Sequence, residues 1–153
     1  MKKITVALLL VTAALAGCQR PATKAVPPEE AQRLLLNRNW LDVLPQTDRD
    51  RLHVFRFVPS MGGGVYQDRT LYAGSFELFQ FERTGEEIRF LLPHKKERAT
   101  ARYRIDALQP GEVENFDLRL QLDRSPRGPA TYYGWREDSA ADIAAALEAH
   151  LQR

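Results

Sequence analysis

Three stretches of the chain alternate apolar and polar residues with a period of two, and no other feature limits the fold so tightly. Ile88, Phe90 and Leu92 share one phase, with Glu87 and Arg89 on the other. Ala99, Ala101, Tyr103 and Ile105 alternate with Arg98, Thr100, Arg102 and Arg104. Phe116, Leu118, Leu120 and Leu122 alternate with Asp117, Arg119 and Gln121. Successive side chains of a strand point to opposite faces, so each run has one dry face and one wet face, the mark of an antiparallel sheet over a core. Each dry face can bury several large side chains at about 1.5–3 kcal/mol apiece.

Five further strand-length runs, Trp40–Leu44, Leu52–Val58, Val65–Tyr72, Ser75–Glu82 and Thr131–Arg136, bring the number to eight. Turn chemistry separates them, at Pro45, Pro59, Gly74, Thr84-Gly85, Pro93, Pro110-Gly111 and Ser125–Pro129. Met61-Gly62-Gly63-Gly64 reads as a loop, because three glycines pack nothing and hold maximal backbone freedom. From Phe76 to Phe81 the apolar residues change parity between Leu78 and Phe79, which predicts a β-bulge or sharp bend. Pro28–Leu36 suits one or two helical turns, with Pro at the first position and Glu29 and Glu30 in the first turn. In the tail Asp138–Gln152, Ile143, Leu147 and Leu151 recur on one stripe and predict an amphipathic helix docked outside the sheet. The fold class is therefore all-β: an eight-stranded up-and-down antiparallel barrel, closed so that no edge is left, with a C-terminal helix. A two-sheet β-sandwich is the alternative.

The front end carries a different signal. Lys2 and Lys3 precede an apolar run from Ile4 to Leu15, and Leu15-Ala16-Gly17-Cys18 follows as a small-residue cleavage site. The run is shorter than the ~20 residues that span a bilayer. Cys18 is the only cysteine, so no internal disulfide is available to it. Leu15-Ala16-Gly17-Cys18 resembles the lipobox of bacterial lipoproteins. The resemblance implies cleavage before Cys18 and acylation of its sulfur and amine, a membrane anchor worth about 0.8 kcal/mol per buried methylene. Gln19, where that family's retention rule places Asp, implies the outer membrane. Gln19–Pro28 has three prolines and no apolar period, and reads as a tether reaching ~30 Å at roughly 3.1 Å per residue. The expected organisation is a signal peptide over 1–17, a lipidated cysteine and tether over 18–28, and a barrel domain over 29–153.

Eight short strands, a tryptophan in the first and a helix after the last resemble the lipocalin-like branch of the calycin barrels. That family's Gly-x-Trp signature is met at Trp40, with Arg38 in the glycine's place. The resemblance makes Arg136 and Arg119 candidates for an arginine packed across Trp40. It also implies a small hydrophobic or amphipathic ligand inside the barrel, with Trp40, Phe90, Tyr103, Ala99 and Ala101 lining it and the Gly62–Gly64 loop gating it. Barrels of this size either fill with their own side chains or hold one small ligand. The alternative function is therefore an envelope interaction or structural protein, or a protein inhibitor, with a filled barrel. Ser60-Met61-Gly62-Gly63-Gly64-Val65-Tyr66 resembles the loop of lipoproteins that inhibit c-type lysozyme; Tyr132-Tyr133-Gly134-Trp135-Arg136 reads as core or sheet-face packing, with a second contact surface as its alternative.

The remaining chemistry is sparse. Removal of residues 1–17 leaves 136 residues, with 20 basic and 20 acidic side chains, so charge gives no reason to expect nucleic acid. His53, His94 and His150 fall on different elements without metal-ligand spacing. Ser60 and Ser75 lack a nucleophile-elbow context, and the triple glycine precedes a strand where a phosphate loop would precede a helix. Glu77 with Glu82, and Glu86 with Glu87, read as solvated charges. No enzyme activity, cofactor or metal is expected, and the expected partners are the membrane, an apolar ligand or an envelope protein.

Overall fold

The computed structural model describes residues 24–137. The expected signal peptide, Cys18 and the helix expected over Asp138–Gln152 lie outside them. The elements are β1 (Lys24–Ala25), α1 (Pro28–Leu34), β2 (Asn39–Leu41), β3 (Leu52–Val58), β4 (Gly63–Arg69), β5 (Gly74–Thr84), β6 (Glu87–Leu92), β7 (Glu97–Ala107), β8 (Leu118–Leu122) and β9 (Thr131–Gly134). Strands β2 to β9 form one antiparallel sheet in the order β7-β6-β5-β4-β3-β2-β9-β8, and pairing of β8 with β7 closes it into an eight-stranded barrel. All eight runs read as strands are present, and the barrel, not the sandwich, is the architecture.

Alternation places the core. Ile88, Phe90 and Leu92 of β6, Ala101, Tyr103 and Ile105 of β7, and Leu118, Leu120 and Leu122 of β8 all point inward and are buried. They meet an aromatic plug of Trp40, Phe55, Phe57, Phe79 and Tyr132, each at most 3% exposed. Phe55 lies 4.9–6.2 Å, centroid to centroid, from five other rings, mostly tilted or edge-on.

The two ends of the barrel differ. One end is closed by α1, whose Ala31 and Leu34, with Val26 and Leu35 on either side, belong to the barrel core. There the Trp40 indole nitrogen donates to the Leu35 carbonyl at 3.1 Å, and Arg83 donates to the Gln32 carbonyl at 2.5 Å. The other end, the mouth, is ringed by the segments 42–51, 70–73, 93–96 and 123–130 that join successive strands there.

Three expectations are corrected. Gly63 and Gly64 are strand, not loop; only Gly62, at φ +73°, makes the turn. A Cβ on Gly64 would stand 2.4 Å from the Phe79 ring and one on Gly63 would stand 2.0 Å from the Phe79 carbonyl, so Gly64 makes room for that ring and Gly63 for the β5 backbone. Strand β5 has no bulge: its register runs unbroken from Arg69↔Gly74 to Gly64↔Phe79 and on from Gln80↔Leu91 to Thr84↔Glu87. Unbroken parity turns Glu77 inward beside Phe79 and Phe81, and leaves Phe76 and Leu78 outside, 72% and 54% exposed. Finally, the expected tether is part of the domain at its far end, since Lys24 and Ala25 pair with Ala107 and Asp106 of β7.

A second apolar cluster lies on the outer face of β2, β3 and β9. Leu41, Leu44, Leu52, Val54 and Phe116 pack there with Tyr133 and Trp135, whose rings sit 5.4 and 4.9 Å from Phe116. Tyr132 meanwhile points into the barrel, so the aromatic run at the end of the sheet is spent on packing.

Candidate functional site

The interior residues singled out from the sequence are core. Trp40 and Ala101 are 0% exposed, Phe90 2% and Tyr103 4%; Ala99 is half-buried against the same cluster. Tyr103 donates its hydroxyl to the Gly85 carbonyl at 3.1 Å. Phe90 and Ala99 touch one hollow, of about 490 Å³, shared with Phe81 and with Gln80, Arg89 and Arg98 on the wall of β5 to β7. Neither arginine considered for Trp40 is free. Arg119 pairs with Asp106 and Glu112, each at 3.2 Å, and Arg136 pairs with Glu30 at 2.5 Å. The small residue against the Trp40 ring is Gly134, whose missing Cβ would lie 3.1 Å from it.

Open space collects at the mouth instead. A cleft of about 1000 Å³ is lined by His53 of β3, Tyr66 and Asp68 of β4, Ser75 to Leu78 of β5, Pro93 to Lys95, and Arg127 and Gly128. Its floor is polar. His53 is in phase with Phe55 and Phe57, so strand alternation sends it inward above them. Its Nδ1 lies 2.6 Å from the Tyr66 hydroxyl, and the two rings stack at 5.9 Å. Two carboxylates flank it, Asp68 at 3.8 Å from Nδ1 and Asp42 at 4.0 Å from Nε2. Arg51 grips Asp68 through two nitrogens, and this hydrogen bonding holds the Asp68 carboxyl below its ordinary range. Burial pushes the Asp42 carboxyl up. Burial, then the nearby Asp68 and Asp42, push the Tyr66 hydroxyl up to about 12.

The cleft wall is clamped by Arg127. It donates to Glu77 at 2.7 Å and to Glu97 at 2.7 Å, joining β5 to the start of β7 across the opening. The Glu97 carboxyl is held down by that hydrogen bond. Next to it Gly128 takes φ +66°, and a Cβ there would stand 2.7 Å from both the Tyr66 and Tyr132 hydroxyls. The glycine thus seats the 123–130 segment directly on the two phenols, and Tyr132 donates back to the Arg127 carbonyl at 3.1 Å. Above this polar floor the outer lip is apolar, made by Phe76 and Leu78.

The sequence reading assigned none of these residues to the site. The signal was available in the phase: His53 shares the parity of Phe55 and Phe57, and Glu77 that of Phe79 and Phe81. Among the described residues, no three His, Cys, Asp or Glu side chains gather as metal ligands, and no helix is long and apolar enough to cross a membrane. No family model, no curated protein and no solved structure matches the chain.

Proposed function

We propose that this chain is a membrane-anchored envelope lipoprotein whose lipocalin-like barrel binds an amphipathic ligand at its mouth. The observation that carries the reading is the contrast inside one barrel: an interior packed by its own rings, under a cleft of about 1000 Å³ with a polar floor and an apolar lip. Sites for small molecules are concave, mostly apolar and marked by a few convergent polar groups, and the mouth has that character. An apolar portion of the ligand lies against Phe76 and Leu78; its polar end reaches Tyr66, His53 and Arg127.

The anchor reading rests on Leu15-Ala16-Gly17-Cys18. It agrees with the polarity of the barrel, because the described chain begins at Lys24, paired with the β7 end farthest from the mouth. Acyl chains at Cys18 would then hold the closed end toward the lipid and aim the mouth away from it.

Two measurements test the proposal. Expressed in a bacterial host, the full chain incorporates labelled palmitate and sediments with membranes, and Cys18→Ala does neither; equal behaviour of the two removes the anchor. For the mouth, a fluorescent fatty acid binds saturably to the purified protein and is lost in Ser75→Trp, which fills the cleft. Binding that survives in Ser75→Trp puts the ligand elsewhere than the mouth, and none at all in the parent removes a fatty-acid ligand.

A further inference from the structure

The barrel leaves two strand segments without a neighbour, and it treats them differently. Strand β6 pairs with β7 only from Glu97 to Arg102, so the β7 residues beyond lose that partner. The chain covers them itself: Tyr103 donates to the Glu86 carbonyl at 2.8 Å, β1 pairs at 106–107, and Val26 donates to the Ile105 carbonyl at 2.9 Å. Strand β6 likewise pairs with β5 only from Gln80 to Thr84. The other half of β5, Gly74 to Phe79, pairs with β4 on one side and with no described residue on the other.

The register says which main-chain groups are bare. In an antiparallel pair, residues that exchange both hydrogen bonds alternate with residues that exchange none. The β4–β5 turn sets the phase, since Thr70 donates to the Ala73 carbonyl at 2.7 Å. Counting from that pair, Ser75, Glu77 and Phe79 bond to β4, and Phe76 and Leu78 aim their N–H and C=O at the free side. The β6 side gives the same phase, because the tight turn makes Thr84↔Glu87 a bonded pair and places Glu82 and Gln80 in step with Leu78 and Phe76. No backbone partner is found for Phe76 or Leu78 on that side. Bare, apolar strand edges are usually covered or blunted with charge; this one opens into the mouth cleft. The cleft's facing wall carries His94 and Lys95, both exposed; neither sits in a salt bridge among the described residues, and the Lys95 charge lies near enough to Glu97 to help hold its carboxyl down.

We infer that the mouth binds an extended peptide segment with acidic and apolar residues, which adds to the free edge of β5 at Phe76 and Leu78 as β1 adds to β7. Backbone hydrogen bonds to the edge supply register, as in other strand-addition complexes. Residues of the peptide opposite Phe76 and Leu78 share their apolar outer face, and acidic side chains meet Lys95 and His94. The inference rests on the mouth being the binding site and narrows the ligand class there.

The test uses the full chain in mild detergent and a fluorescently labelled, end-capped heptapeptide of alternating valine and glutamate, followed by anisotropy. Saturable binding is expected. Phe76→Pro deletes an edge N–H that no ladder bond uses, and should weaken binding about fivefold, the loss of one net hydrogen bond; Phe76→Ala, which keeps the N–H, should weaken it less. The same peptide N-methylated on alternate amides should not bind to the unaltered protein, a control that needs no variant to fold. Equal binding of the methylated peptide, or of Phe76→Pro, overturns strand addition. A fatty-acid probe that binds where the peptide does not overturns the inference and leaves the mouth reading standing; failure of both probes removes both. Sedimentation showing a dimer that Phe76→Pro dissolves would make the occupant a second copy and overturn the peptide.

Discussion

The closed end and the mouth of this barrel are built from the same alternating strands, yet only one is finished. At the closed end every feature excludes water: α1 drops Ala31 and Leu34 onto the core, the Leu35 carbonyl takes the Trp40 indole proton, and β1 covers the spare edge of β7. At the mouth the inward positions become His53, Tyr66, Asp68 and Glu77, and no described residue pairs with the spare edge of β5. The lesson is that a strand's inward phase fixes where a side chain points, while its chemistry decides whether that layer seals or opens. An imidazole and a carboxylate in phase with phenylalanines turn a packing layer into a site.

Four measurements press on that difference. The largest effect belongs to the closed end. Trp40→Ala removes a fully buried indole and its hydrogen bond, and should cost about 3–5 kcal/mol in chemical denaturation. A cost near that of an exposed site would mean the end is not sealed. At the mouth, Arg127→Ala leaves Glu77 inward without its partner, and about 1–3 kcal/mol should be lost. Adding Glu77→Gln should restore much of it, and a double-mutant cycle with no coupling would dismiss the clamp.

The two edges give the sharpest pairing. Val26→Pro deletes the N–H that bonds Ile105 and trims a buried side chain, and should cost about 1–3 kcal/mol, whereas Phe76→Pro deletes one that no described residue accepts and should cost less than about 0.5 kcal/mol. Equal costs would mean that the β5 edge is not bare. The last effect is read only in alkali. Tyr66 has its hydroxyl raised from 10.0 to about 12, so below pH 10 both folded and unfolded chains hold the proton and the linkage contributes in full. Between pH 10 and 12 the unfolded chain releases it first, and stability should fall across that window. Phenolate absorbance and denaturation measured over the same range check it, and a Tyr66 titrating near pH 10 would show that the mouth is wetter than its geometry.

Much of the barrel was legible in the chain. Residues 88 to 92, 99 to 105 and 118 to 122 alternate, and each is a strand with the dry face inward. Trp40, Phe90, Tyr103 and Ala101 do point inward and are buried in the core. What escaped depends on partners distant in sequence. Gly63 and Gly64 look like a loop until the β5 backbone at Phe79 and the Phe79 ring are laid against them. The parity change in β5 looks like a bulge because an inward Glu77 seems too costly, and its compensation, Arg127, stands fifty residues away. The bare edge of β5 follows from where β6 stops, a property of register that no single stretch encodes.

The brevity of β1 has a mechanical side. Any tension arriving from the N-terminal direction meets first a ladder of two paired residues, Lys24 and Ala25, and the Val26 hydrogen bond beyond it. Those bonds peel one at a time from the margin of β7, whereas α1 and the eight-stranded wall behind them would have to be pulled apart together. The front of the described domain is therefore a release point: a tug there would free a few residues before the barrel felt any load.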